Sequence, residues 1–389
     1  MRKLLSSPVQ MNLSERENTL YQNALKHVSE IALNLMAVKV EERPDNFRQW
    51  CLELNDICQN KINMELLETT QLPALNKLQQ TLTSGINATQ LKMLRVAPWP
   101  IYAQFIEQQS TVNNFDERFK FLAYLKQIKH KPLNDMIVED RLAFTGKHTK
   151  QHDVSIYNFD VECFTSTRTA KTFHQLLEAC PEKFDQALAH IPVEETVTLE
   201  HFIAFGKAFT EIFANHAPSE KISVVIASRL LAMHRPDTFI AVTTAKLEAF
   251  CRGFNTVKVK NDDLLGYWNE LIAPLQHLPW WKSPAPECAT ELVYWQHRAL
   301  LVDLFLFSDP KSSSVSNFIK LKNKSNKPTT RSTGASKRTK ASAEELVDKA
   351  LANEELPDFI RAKRDSIIHQ VKEGKTVDQV ISLMRAIFG

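Results

Sequence analysis

Apolar residues recur at spacings of three and four along most of this chain, which predicts helices with one buried face. Leu20, Ala24, Val28, Ile31, Leu35 and Val38 trace such a face over 14–40, opened by the capping box Ser14-Glu15-Arg16-Glu17 and broken before Pro44. A second helix is expected over Phe47–Glu68, a third over Ala74–Ser84 ended by Gly85, and others over Ile101–Gln109 and Phe115–Ile128. Partial alternation at a period of two is confined to Val154–Phe164, the only strand expected. Helices resume over Phe173–Ala179, Glu182–His190, Leu199–Asn215, Asp262–Gln276 and Glu291–Phe307.

The most ordered text is Lys221–Phe254. Val225, Ile226, Leu230 and Met233 make a helix apolar on most of its surface, with Arg229 expected to reach outward. The helix stops at His234-Arg235-Pro236, because the residue before proline is pushed out of the helical region. Thr238–Val242 is short, β-branched and aromatic, and reads as one extended crossing. Thr243 or Thr244 then caps a helix over Ala245–Arg252, with Gly253 expected as its left-handed C-cap.

These patterns give a mainly α-helical, multi-domain protein with at most a short β element near 154–164. The expected division is an N-terminal helical domain over 1–130, a central helical domain over 131–308, a basic disordered linker over 309–341 and a three-helix module over 342–389. In that module Ser342-Ala343-Glu344-Glu345 opens the first helix, Pro357 starts a second to about Glu373, and Thr376-Val377-Asp378-Gln379 opens a third over Val377–Phe388.

Composition then narrows the chemistry. Eight glycines in 389 residues, none closer than thirteen apart, exclude the paired glycines of the dinucleotide and P-loop phosphate cradles and of the Gly-x-Ser-x-Gly elbow. Six scattered cysteines without a paired motif point to a reducing cytoplasm, and no apolar run predicts a leader or a membrane span. Net charge is +3, yet residues 311–340 hold nine Lys and Arg and no acid, so the rest of the chain stands at −6.

Five groups are candidates for chemistry. Cys51 and Cys58 read as two core thiols. His148, His152 and Asp153 have a spacing that can bind zinc on a helix, but their Thr/Lys/Gln-rich setting predicts a solvated loop. Pro236-Asp237 with Lys246 has part of a metal-dependent nuclease signature, but Thr244 stands where an acid is needed, and Asp237 is expected to hydrogen-bond the local turn. Asp160 and Glu162 share one face of the expected strand, with no lysine at a matching spacing. The basic tract Lys320, Lys322, Lys324, Lys327, Arg331, Lys337, Arg338 and Lys340 is suited to polyphosphate, with Arg229 and Arg235, beside His234 and Arg252, as further contacts at a helix–turn–helix.

The order FDQALAHIP, LEHFIAF, ASRLLAMHRPDTFIAVT, YWNEL, PWW and YWQHRALLVDLFLF within 184–307 resembles a group of poorly characterised bacterial proteins found near restriction and phage-defence genes. More distantly it resembles helix–hairpin–helix DNA glycosylase-like segments. That group usually carries an acid where this chain has Thr243 and Thr244, so the resemblance implies a structural core rather than a catalytic set. The expected function is a non-catalytic, DNA-associated component of a bacterial antiviral defence or DNA-processing complex. It would hold the nucleic-acid backbone and partner proteins, with no cofactor, metal or membrane. The alternatives are a metal-dependent nuclease using Asp160, Glu162 or Asp237, and a pure protein-interaction scaffold.

Overall fold

Ser14 starts the first helix as its spacing requires: its hydroxyl accepts from Glu17 N, while the Glu17 carboxylate accepts from Ser14 N at 2.8 Å. The computed structural model describes residues 2–5, 11–31, 38–111, 115–308, 318–320, 322, 343–351, 358–372, 377 and 380–381. Those residues are mainly α-helical. Helix α1 spans Glu15–Glu30, shorter than the 14–40 expected, because Lys39–Val40 is a short strand β2, antiparallel to β1 at Arg2–Lys3. Helix α2 spans Phe47–Asp56 and passes into a π-turn at Ile57–Lys61, so the expected Phe47–Glu68 helix is interrupted.

Helix α3 is the larger surprise. It runs Leu72–Val96, straight through Gly85. A Cβ at Gly85 would lie 2.9 Å from Cys51 Sγ and 3.1 Å from Phe47 Cε1. Gly85 is there for close approach to α2, not for a helix end. The N-terminal half of α3 buries Leu75, Leu78, Leu82 and Ile86 in one apolar cluster with Tyr21, Trp50 and Leu54. Its C-terminal end buries Leu91 and Leu94 in a second cluster that extends to Leu306. The core therefore divides along α3, and the boundary expected at residue 130 has no counterpart in it.

The second cluster takes α4 (Trp99–Gln108), α5 (Phe115–Ile128), α6 (Val138–Thr145), α7 (Lys171–Ala179), α8 (Pro181–Leu188) and α9 (Leu199–His216). At its centre stand α10 (Val224–His234) and α11 (Thr244–Phe254). Thr243 caps α11 by accepting from Lys246 N at 3.2 Å. Between the two helices, Phe239, Ile240, Ala241 and Val242 are each 0% exposed. Among the described residues this crossing has no neighbouring strand. Side chains serve its backbone instead: Ser228 Oγ accepts from Val242 N at 3.1 Å, and Tyr267 Oη donates to Ile240 O at 2.7 Å. The left-handed C-cap of α11 is Asn255, at φ 60°, rather than Gly253. Gly253 lies within the helix, where a Cβ would come within 2.2 Å of Leu91 Cδ1 on α3.

Residues 154–164 form turns, not the expected strand. Their side chains Tyr157, Phe159, Val161 and Phe164 are buried in the core. Beyond α11 come α12 (Leu264–Tyr267), a π-turn at Trp268–Ile272, α13 (Ala273–Leu275) and α14 (Ala289–Gln296). A 3-10 segment at Leu300–Phe305 replaces the end of the helix expected to reach Phe307. Trp280 turns inward, donating to Leu94 O at 3.0 Å and stacking on Tyr102.

The chain forms two compact units, Met1–Asn326 and Lys327–Gly389. In the second, α15 (Ala343–Leu351), α16 (Asp358–Arg361) and α17 (Arg364–Lys372) gather Val347, Ile360, Ile367, Ile368, Val380 and Ile381. The second helix expected there is thus two short ones, and most of the third lies outside the described residues. Arg364 clamps Asp348 through Nε at 2.6 Å and Nη2 at 2.8 Å. Among the described residues no helix is long and apolar enough to cross a membrane.

Candidate functional site

One of the polar residues singled out, Arg229 of α10, forms a buried hub. Arg229 is 0% exposed, so the expectation that it reaches outward is overturned. Its Nε donates to Phe144 O at 3.0 Å. Its Nη1 donates to Cys163 O at 2.5 Å and Thr165 O at 3.3 Å, and its Nη2 to Ala143 O at 2.9 Å and Val161 O at 3.0 Å. A guanidinium has five N–H donors, and each here meets a carbonyl. Two of these carbonyls end α6, where the helix dipole is negative. The other three belong to the irregular segment after it. Gly146 makes the junction possible: its φ is +83°, and a Cβ would lie 2.5 Å from Thr165 O. Burial pulls the Arg229 pKa down to about 10, which leaves it a cation at neutral pH.

Beside Arg229 lies an ion cluster built from three distant elements. Asp303, on the 3-10 segment, is 2% exposed. It pairs with Lys246 Nζ of α11 at 2.5 Å and with Arg118 of α5. Burial opposes the ionised form of Asp303, yet Lys246 and Arg118 outweigh it and hold its carboxyl below the usual range. Lys246 also donates to the carbonyl of Phe164, a buried residue held at φ 68°. Arg118 lies over the Phe164 ring at 4.9 Å, and Arg229 over the Phe121 ring at 5.1 Å. Two cations and one carboxylate thus fasten α5, α11 and the C-terminal end of the core to a strained backbone turn.

The other candidates are engaged nearby. Asp160 accepts from Glu162 N at 2.9 Å, and burial pushes its carboxyl upward. Glu162 accepts from His148 N at 3.1 Å. His148 and His152 are not a solvated loop: both are buried, with rings 4.9 Å apart, and His152 Nε2 is 3.0 Å from Glu139 O. Burial lowers the pKa of both imidazoles. The Cys163 thiol is pushed up to about 12 by burial, which leaves it a poor nucleophile.

Asp237 and Lys246, the two halves of the nuclease signature, have different partners. Arg235 grips Asp237 through Nε at 2.9 Å and Nη2 at 2.9 Å, and Thr238 Oγ1 adds a bond at 3.1 Å. Asp237 thus binds side chains of its turn rather than the backbone N–H groups expected. Arg235 is 7% exposed and also donates to Glu195 O at 2.9 Å, so it joins Arg229 in the interior, away from the polyanion contact expected of both. Among the described residues, no group of three or more His, Cys, Asp or Glu is placed to hold a metal ion.

Of the basic tract, Lys320 and Lys322 are described and exposed, and Lys322 Nζ lies 5.6 Å from the centre of the Phe318 ring. Lys324, Lys327, Arg331, Lys337, Arg338 and Lys340 lie outside the described residues. The patterns above missed Arg118 and Asp303. A signal existed for Asp303: it is the single acid in Leu300–Phe307, and a lone acid within an apolar run must be paired if it is buried. Arg118 gave no such signal, because it stands among the charged residues of Asp116–Lys120.

The fold and this hub define a class no finer than a mainly helical protein with a buried electrostatic core. Comparison of the chain with protein-family models, curated proteins and solved structures gives no match.

Proposed function

We propose that this protein is a non-catalytic, DNA-associated component of a larger assembly. In this reading the basic tract over 311–340 holds phosphate and the helical body carries partner proteins. The setting is the one implied by the resemblance over 184–307, bacterial antiviral defence or DNA processing. One observation carries the reading: nine cations and no acid within thirty residues, in a chain whose remainder is net negative. Such a tract attracts a polyanion and releases counterions on binding it. The reading is supported by the partners of Asp160, Asp237 and Lys246, which lie within the protein and differ from one another.

The test is a gel-shift titration of a DNA duplex at rising salt. It compares the full chain with a variant carrying glutamine at Lys320, Lys322, Lys324, Lys327, Arg331, Lys337, Arg338 and Lys340. The intact chain should bind with a steep salt dependence, about −0.9 in the log–log slope for each phosphate neutralised. The variant should lose most of that slope. Equal affinity and equal slope for the two proteins would remove the tract from the function.

A further inference from the structure

A cationic notch opens where α1 and α3 meet the end of α11, at the opposite end of that helix from Lys246. Gly253 lets α11 approach α3 there, since a Cβ would lie 2.2 Å from Leu91 Cδ1. The notch encloses about 270 Å³. Its charged lining is Arg16 of α1, Lys92 and Arg95 of α3, and a single acid, Glu17. Glu17 is already engaged: it accepts from Ser14 N at 2.8 Å and Ser14 Oγ at 2.6 Å, and lies 3.9 Å from Lys92 Nζ. Arg16 Nη1 donates to Arg252 O at 2.6 Å, which uses one of its five N–H donors and fixes the head of the side chain. Among the described residues, Arg16 has no acid partner, and Arg95 has neither a hydrogen bond nor an ion pair.

Like charges held together disfavour their own ionised forms. Arg252 stands beside the notch as a third guanidinium, and its acid, Glu248, also faces Lys258 at 3.7 Å. Burial first, then repulsion from Arg252 and Arg95, lowers the Arg16 pKa. An anion seated against Arg16 and Arg95 relieves that repulsion. The lining narrows which anion. It holds no aromatic and no large apolar side chain, so it offers neither a stacking platform for a base nor an anchoring pocket for a protein partner. Guanidinium forks do meet phosphate oxygens in pairs. The same chain carries a tract suited to polyphosphate, so one ligand can engage both.

We propose that this notch binds a phosphate of a nucleic-acid backbone, held by Arg16 and Arg95 with Lys92 at its edge. The proposal rests on the DNA-associated reading and adds a contact on the folded body to that of the basic tract. Binding of a labelled DNA duplex is followed by fluorescence anisotropy at rising salt. The proteins are the full chain, the full chain neutralised in the tract, and the full-length variants Arg16→Gln/Arg95→Gln and Arg16→Lys/Arg95→Lys. The glutamine variant should bind at least about fivefold more weakly at low salt and lose about 0.9 from the log–log slope. The lysine variant should stay within about twofold of wild type, which a merely structural role of Arg16 would not give. Arg95→Gln alone, which breaks no contact within the protein, should also weaken binding. A glutamine variant that binds like wild type while the tract-neutralised chain does not overturns the notch and leaves the tract. The reverse result removes the tract and leaves the notch, and a wild-type chain that binds no duplex overturns both. Tighter binding of a poly-glutamate peptide through the same two arginines would make this an acidic-protein site and overturn the proposal. Pyrophosphate bound through them without any duplex binding would make it a free-phosphate site, with the same consequence.

Discussion

Replacing Arg229 with methionine is the sharpest test of the hub. Methionine fills much of the same space but offers no N–H group. Five buried carbonyls lose a donor. Ala143 O still receives Gly146 N at 3.2 Å, and Cys163 O still receives Thr165 N at 2.9 Å. The carbonyls of Phe144, Val161 and Thr165 bear the main loss. Each buried acceptor left unpaired costs about 1–3 kcal/mol. Removing a desolvated cation returns part of that sum, so the net loss should be about 3–5 kcal/mol. In a unit of this size, Met1–Asn326, that lowers the melting temperature by roughly 4–7 °C. Arg229→Lys keeps the charge with three donors and should fall between the two. Differential scanning calorimetry at neutral pH reads the order wild type, lysine, methionine. A methionine variant melting within about 1 °C of wild type would refute the argument, because it would mean those carbonyls find other donors at no cost.

Three further outcomes follow from the same contacts. Asp303→Asn leaves Lys246 and Arg118 buried without their anion and should cost about 3–5 kcal/mol in urea unfolding. Because the folded-state pKa of Asp303 is depressed, the stability it contributes is present above the unfolded carboxyl pKa and is lost as pH falls through the folded value; the variant should show a flatter acid limb below about pH 4. Burial lowers His174 and His297 from 6.5 to about 4, so both are neutral in the fold while the unfolded chain takes up protons; stability should fall between about pH 6.5 and 4, and His297→Phe should reduce that slope in a melting-temperature series. Gly253→Ala forces a methyl against Leu91 and should cost about 1–3 kcal/mol in the same unfolding assay, and the double variant with Leu91→Ala should lose less than the sum of the two single losses.

Helical periodicity was legible without coordinates wherever one face is buried and the other is wet. The Ser14–Glu17 capping box and the Thr243 cap act between residues three apart, so they too could be read locally, while the boxes expected at Ser342 and Thr376 lie outside the described residues. Glycine was the least transparent letter. The same residue serves a helix end or a helix crossing, and only the partner helix says which. Gly85 and Gly253 both sit at crossings with no mark of it in their own neighbourhoods. The alternation over 154–164 misled for a related reason. Tyr157, Phe159 and Val161 are buried in alternation, but they stand on turns with no partner strand among the described residues, so the alternation makes no sheet face.

What this amino-acid order determined alone is a set of amphipathic helices, their local caps and a strongly basic tract. Those depend on short-range spacing and on composition. The tertiary structure decided the fate of the charges. Arg229 looks like a side chain bound for water until α6 and the segment after it bring five carbonyls around it, from residues more than sixty positions away. Asp303 finds Lys246 57 positions before it and Arg118 185 positions before it. A buried charge is tolerated only with partners placed in three dimensions, and that placement follows from the packing of the whole core.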